Sequence, residues 1–221
     1  MAFRRRPTWR KKAPRRRPAR RVMKRRVASN IYSFKRTVNL GTMSCINNAG
    51  VLTNLTNAYQ FKLSDLPVSS EFTTLYDQYC IKGIKLSAVC TFSESANLAS
   101  SGNNTTQTQG FQRLMSVLDY DDVVPITSEG TALQYQNLKI TGPNKMHSRY
   151  FKPAVSQEIN EGLTSPAIAV KKNVWLDCNY PNVPHFGVKF YQSAPYAATG
   201  ASANMTWTLY GTYYLQFKNV R

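Results

Sequence analysis

Negative charge is scarce in this 221-residue chain and missing from its front: 11 Asp and Glu stand against 29 Lys and Arg, and the first acid is Asp65. Cysteine is sparse too. Cys45, Cys80, Cys90 and Cys178 form no Cys-x-x-Cys pair, and the two histidines, His147 and His185, lie far apart, so a zinc ligand set has no spacing to rest on. The chain shows no apolar signal segment. Maturation in a reducing compartment is therefore expected, with the thiols as small buried hydrophobes and the Asn-x-Thr sequons at Asn54, Asn103, Asn104 and Asn204 left unmodified. No long hydrophobic run exists. Residues 190–217 lack charge, but their Ser, Thr, Asn, Gln and Pro content rules out membrane insertion as a helix. Walker-type glycine loops, Gly-x-Ser-x-Gly, His-Glu-x-x-His and paired-histidine nickase motifs are all missing, so neither an enzyme nor a cofactor is expected.

What is present is strongly divided. Sixteen of the 29 basic residues and none of the 11 acids fall before Thr37, which leaves 13 basic and 11 acidic residues in 37–221. The net charge of +18 thus belongs almost entirely to one end, and polyanion binding is separated from folding. Residues 1–30 read as a disordered arm, because Pro7, Pro14 and Pro18 interrupt any helix and runs of like charge repel. The expected nucleic-acid-binding residues are Arg4, Arg5, Arg6, Arg10, Lys11, Lys12, Arg15, Arg16, Arg17, Arg20, Arg21, Lys24, Arg25, Arg26, Lys35 and Arg36, with Trp9 and Phe3 available for base stacking. Guanidinium groups suit this task because their planar forks bind phosphate bidentately and release counterions from any sequence. The more modest reading of the same residues is a solvated tail whose Arg15–Arg17, Arg20–Arg21 and Lys24–Arg26 runs serve only as a nuclear localisation signal.

From Ile31 to the end, the dominant signal has period two. Met205, Trp207, Leu209, Gly211, Tyr213, Leu215 and Phe217 share one face of a strand, while Thr206, Thr208, Tyr210, Thr212, Tyr214, Gln216 and Lys218 share the other. The same alternation marks Tyr32–Leu40, Tyr59–Leu63 and Ile84–Phe92, and weaker strands are expected at 111–120, 145–152, 173–178 and 185–192. Ser69 or Ser70 is expected to cap a helix placing Phe72, Leu75, Tyr76 and Tyr79 on one stripe, and a second short helix is expected over 128–136. Long polar loops are expected at 93–110 and 193–204. Eight strands in two face-to-face sheets predict an all-β, eight-stranded jelly-roll sandwich over 31–221, with an immunoglobulin-like sandwich as the alternative.

Asp119, Asp121 and Asp122 form the only acidic cluster; they offer a weak cation site at a subunit contact, catalytic carboxylates or, as the favoured reading, structural or interface use in a turn with salt bridges to a neighbour's Lys or Arg. His147 is expected at the surface, or facing bound nucleic acid beside Arg149 and Lys152. Trp175 and Trp207 are expected within strands, packing in sandwich or interface layers. Tyr210 and Tyr214, on the outer face of the last strand, are expected to be covered in an assembly.

The Arg-rich opening after Met-Ala resembles coat proteins of circular single-stranded DNA viruses, circoviruses and cycloviruses in particular. So do Glu71-Phe72 followed by Tyr76-Asp77-Gln78-Tyr79-Cys80-Ile81-Lys82-Gly83-Ile84-Lys85-Leu86, the run Asp119-Tyr120-Asp121-Asp122, the segment His147-Ser148-Arg149-Tyr150-Phe151-Lys152-Pro153 and the closing aromatic strand. The resemblance spans essentially the whole chain. It implies a jelly-roll subunit repeated in sixty copies, a single-stranded DNA genome held by an inward-pointing arm, nuclear import through host receptors, and attachment to sulfated cell-surface glycans. The alternatives are a basic-tailed nucleic-acid-binding protein that acts alone, and the coat protein of a small RNA satellite virus.

Overall fold

The computed structural model describes residues 30–45, 53–94, 113–158, 168–194 and 203–221. The expected disordered arm and most of the two expected polar loops lie outside these residues. The first sheet runs β1 (Ile31–Ser44), β11 (Ala203–Val220), β3 (Tyr76–Glu94), β6 (His147–Phe151), with β9 (Leu176–Asp177) also paired to β3. The second is built around β10 (His185–Gln192): β2 (Leu55–Phe61) takes one edge, while β4 (Leu114–Val117) and β7 (Ala154–Glu158) divide the other. Outside them lie β5 (Lys139–Thr141) on β4 and β8 (Ile168–Lys172) on β7. Every strand pairing among the described residues is antiparallel. The expected two-sheet jelly-roll sandwich is observed.

β11 is the central member of the first sheet and behaves as its alternation predicts. Trp207, Leu209, Tyr213, Leu215 and Phe217 are each at most 1% exposed, and β1 and β3 flank the strand along most of its length. β1 keeps its apolar face inward through a bulge. Gly41 takes a left-handed φ of 95°, its N–H bonded to Asn39 Oδ1 at 2.9 Å, and the register slips between Asn39 and Thr42. Leu40 and Met43, three residues apart, consequently both face the core. Between the sheets, the Phe61 ring of β2 meets Phe151 at 5.6 Å and Tyr213 at 6.1 Å.

All eight expected strands exist in some form, but the described residues hold eleven. β5, β7 and β8 were not anticipated; each is three to five residues long, too short for alternation to stand out. The strand expected over 173–178 shrinks to Leu176–Asp177, because Asn173 adopts a φ of 56° that no strand continues through.

The expected helix stripe is corrected. α1 spans Ser69–Leu75 with Val68 at its N-cap, so Ser69 and Ser70 lie inside the helix; the Ser70 carbonyl accepts bonds from the Thr73 and Thr74 hydroxyls. Tyr76 is already extended and pairs with Val220. Ladder bonds to β11 win over a further helical turn, and Leu75 is left 53% exposed while Tyr76 and Tyr79 reach the core from a strand. α2 (Glu129–Leu133) is as expected, with the Ser128 hydroxyl accepting from Thr131 N at 3.1 Å.

Phe217 closes the arm end of the sandwich. Its ring stacks on Phe72 at 4.7 Å and contacts Tyr76 and Phe34 at 5.1 and 5.7 Å. Phe217→Ala should cost about 3–5 kcal/mol, measured by denaturant unfolding of dissociated subunits; a loss under about 1 kcal/mol would show that this cluster is not part of the cooperative core.

Candidate nucleic-acid interface

The described residues include only two of the cations expected to hold nucleic acid, and β1 sends them to opposite faces. Lys35 pairs with Tyr214 in register and sits 6.0 Å from that ring on the outward face. Arg36 pairs with Tyr213 on the inward face, where its guanidinium lies 5.6 Å from the Phe72 ring at the rim of the core. Adjacent residues of a strand cannot act together on one surface. Residues 4–26, which carry the remaining expected contacts including Trp9, lie outside the described residues.

The outward face of the first sheet is richer in aromatic and basic groups than the arm-centred reading implied. Tyr214 and Tyr150 meet edge to face at 5.8 Å across β3. Trp175, expected within a strand in a sandwich or interface layer, lies instead just before β9, half-buried, with Lys218 Nζ 4.6 Å and Lys82 Nζ 5.4 Å from its ring. Trp207 does lie in a strand; it is fully buried and donates from Nε1 to Gln192 Oε1 at 2.7 Å, tying the two sheets together. The alternation of β3 places Lys85 on the outward face in advance. Tyr150 opposite it needs the register of β6, which no local pattern carries.

The acidic cluster is a charge network around one buried lysine. Carboxylate oxygens of Asp119, Asp121 and Asp122 lie within 4.8 Å of one another, as a cation site would require. Lys189 Nζ already donates to Asp119 Oδ2 at 2.7 Å and to Asp122 Oδ1, and Tyr135 Oη donates to Asp119 at 3.1 Å. Of the structural and interface uses expected, the structural one is observed: the salt-bridge partner is this chain's own lysine, which is only 4% exposed. Burial pushes the Asp119 carboxyl upward, but hydrogen bonds from Asp121 and Lys189, the lysine charge and the Tyr135 hydroxyl overcome it and hold the group at about 2. Burial likewise disfavours the Lys189 ammonium, and the bonds to Asp119 and Asp122 still leave its pKa raised. The chain supplies its own cation here.

His147 is the plainest departure from expectation. It is fully buried, with Nε2 2.8 Å from Ser116 Oγ and Nδ1 2.8 Å from Thr141 Oγ1, joining β6 of the first sheet to β4 and β5 of the second. Arg149 reinforces the seam by donating to the Ser116 carbonyl at 2.8 Å and to the Asn137 carbonyl. Three polar residues meeting from separate strands left no mark in the local sequence. The cysteines are free, and Cys45, Cys80 and Cys178 are buried as expected, while Cys90 is half-buried. No helix among the described residues is long and apolar enough to cross a membrane.

The profile of the circovirus capsid protein family matches residues 3–221. The chain belongs to the circovirus capsid protein family. No curated protein matches it by sequence. Among solved structures, the 60-mer of the BFDV capsid protein is similar with a TM-score of 0.60 and 18% identity, covering 86% of this chain and 95% of that one. A decameric form of the same BFDV protein gives 0.51 at 18% identity, covering 86% and 99%. The Cucumber Necrosis Virus structure gives 0.50 at 12% identity, covering 88% of this chain and 58% of that one. At these identities the structural likeness establishes the fold, and the family match establishes a viral capsid protein with a structural rather than catalytic role.

Burial, followed by the nearby charges of Lys139 and Arg149, holds His147 down at about 4 in this capsid protein. An unfolded chain takes up that proton near pH 6.5, so the support His147 gives the fold is complete above pH 6.5 and is lost as pH falls toward 4. Unfolding free energy of dissociated subunits should drop across that window by up to about 3 kcal/mol more than in a His147→Gln variant. Equal pH slopes in the two proteins would refute the assignment.

Proposed function

We propose that this capsid protein packages a single-stranded DNA genome by charge, the basic arm condensing the polyanion while the jelly-roll domain closes around it in sixty copies. The observation that carries the reading is the segregation of charge, with 16 cations and no acids in residues 1–36 against 13 and 11 in the remainder. A protein that bound nucleic acid as a single module would need the folded domain to contribute a comparable excess. A shell subunit needs that domain near neutrality, so that copies of it can pack side by side. Sixty arms would bring roughly 960 positive charges into one interior, each able to displace a counterion from phosphate. The BFDV 60-mer supports this copy number. The same arm, through Arg15–Arg17 and Lys24–Arg26, is proposed to be read by host import receptors before assembly, placing the protein in the nucleus and then in the virion. Attachment to sulfated cell-surface glycans is the reading with least support on the folded surface.

A chain beginning at Asn30 keeps β1 whole and removes 14 of the 16 front cations. It should remain folded, with the near-ultraviolet circular dichroism of the full chain, while its particles lose nuclease-resistant DNA and their 260/280 nm absorbance ratio falls to that of protein. Particles that still protect DNA from nuclease would remove the arm from this role, and a full chain that stays near 25 kDa under every assembly condition would favour the solitary binding module.

A further inference from the structure

The outward face of the first sheet bears features that closing a sandwich does not require. Tyr150 is 56% exposed and Tyr210 is 40% exposed, on a face whose structural job is done by the residues pointing the other way. The Tyr150 ring lies down across β3 because residue 83 is glycine: a Cβ there would come within 2.3 Å of Tyr150 Oη. Tyr214, opposite Gly83 in register, meets that ring edge to face, so two aromatic surfaces are laid side by side across three strands.

Cations flank them. Lys35 is paired with Tyr214 from β1, and Lys85 with Tyr150 and Thr212 from β3; both are exposed, and neither takes part in an ion pair among the described residues. Opposing charge on the strands is confined to their ends. β1, β6 and β11 contain no Asp or Glu; those of β3, Asp77 and Glu94, stand near its two ends, Asp77 bonded to Arg221 at 2.7 Å, and Asp177 of β9 lies opposite Gln78 at the Lys218 end, away from Tyr150 and Tyr214. Toward the start of β1, Lys218 and Lys82 bracket the Trp175 ring, and Lys218 pairs with Ile31, next to the residue where the arm joins the fold. From Lys218 to Tyr210 the aromatic-basic track follows eight residues of β11, about 27 Å.

We infer that this face is a second nucleic-acid contact, a base-stacking platform for single-stranded nucleic acid centred on Tyr150 and Tyr214, which continues onto the folded domain the path that the arm begins. The inference extends the packaging reading and rests on it for the identity of the cargo. An exposed ring and a half-buried one beside lysines that make no ion pair match what a flexible strand offers, a π face on every base and a phosphate beside it. A second copy docking symmetrically through the same face would bring Lys35 and Lys85 against their own like charges.

The test uses full-chain particles loaded with single-stranded DNA in which thymine is replaced by 5-iodouracil, irradiated and digested, with the cross-linked peptides mapped by mass spectrometry. Cross-links at Tyr150 or Tyr214, in addition to the arm, are expected. Cross-links confined to residues 1–36 would overturn the platform and leave the arm's role intact; none at all would overturn both. In a second measurement, the full-chain Y150L/Y214L double variant retains apolar area but no rings. Its preference for oligo-dT over an abasic strand of equal length should fall at least about fivefold. An unchanged preference would overturn the platform, and altered particle assembly beside it would assign the rings to contacts between copies.

Discussion

The architecture depends on one constraint: β11 must bury every second residue from Trp207 to Phe217 while both its edges are occupied by neighbouring strands. Five of those inward side chains are at most 1% exposed, and the partners of β11 differ widely in sequence position, β1 at the opposite end of the folded domain and β3 more than a hundred residues earlier. A one-residue slip would turn Trp207, Tyr213 and Phe217 to solvent and Thr212 and Lys218 to the core. The bulges at Asn39/Thr42 and at Tyr214/Leu215 absorb irregularities of length without letting that happen.

Around this strand the interior is closed by a few polar ties. Trp207 to Gln192 and His147 to Ser116 and Thr141 join the sheets, and the described buried side-chain nitrogen and oxygen atoms all find partners. Lys189 meets Asp119 and Asp122 in the same spirit: a cation this buried is tolerated because it is paired twice. Such ties give little net energy when intact and are costly when half broken, so they specify how the sheets meet more than they strengthen the meeting.

The division between a cationic front and a near-neutral domain acquires a finer grain once the fold is seen. Net neutrality of residues 37–221 does not mean uniform neutrality. The pairing of β1, β11, β3 and β6 gathers lysines and tyrosines onto one face, while Asp119 and Asp122 neutralise a lysine of the other sheet. A capsid subunit can thus concentrate positive charge on one sheet face without a total charge that would drive its copies apart.

Alternation is a property of residues two apart, so the long strands, the burial of Trp207 and the outward placing of Tyr210, Tyr214 and Lys85 were legible from the sequence, as was the gathering of cation before Thr37. The Ser128 cap of α2 was equally local. Everything that depended on pairing between distant segments was not. Tyr76 looked like the next position of a helix stripe and became a strand residue because Val220 lay across from it. His147 looked like a surface side chain and became a buried link because Ser116 and Thr141 arrive from other strands. Lys189 carried no sign that it would answer the aspartates 67 and 70 residues before it. Register and crossover, set by how two sheets close on each other, decide which polar groups meet, and no short window of sequence contains that information.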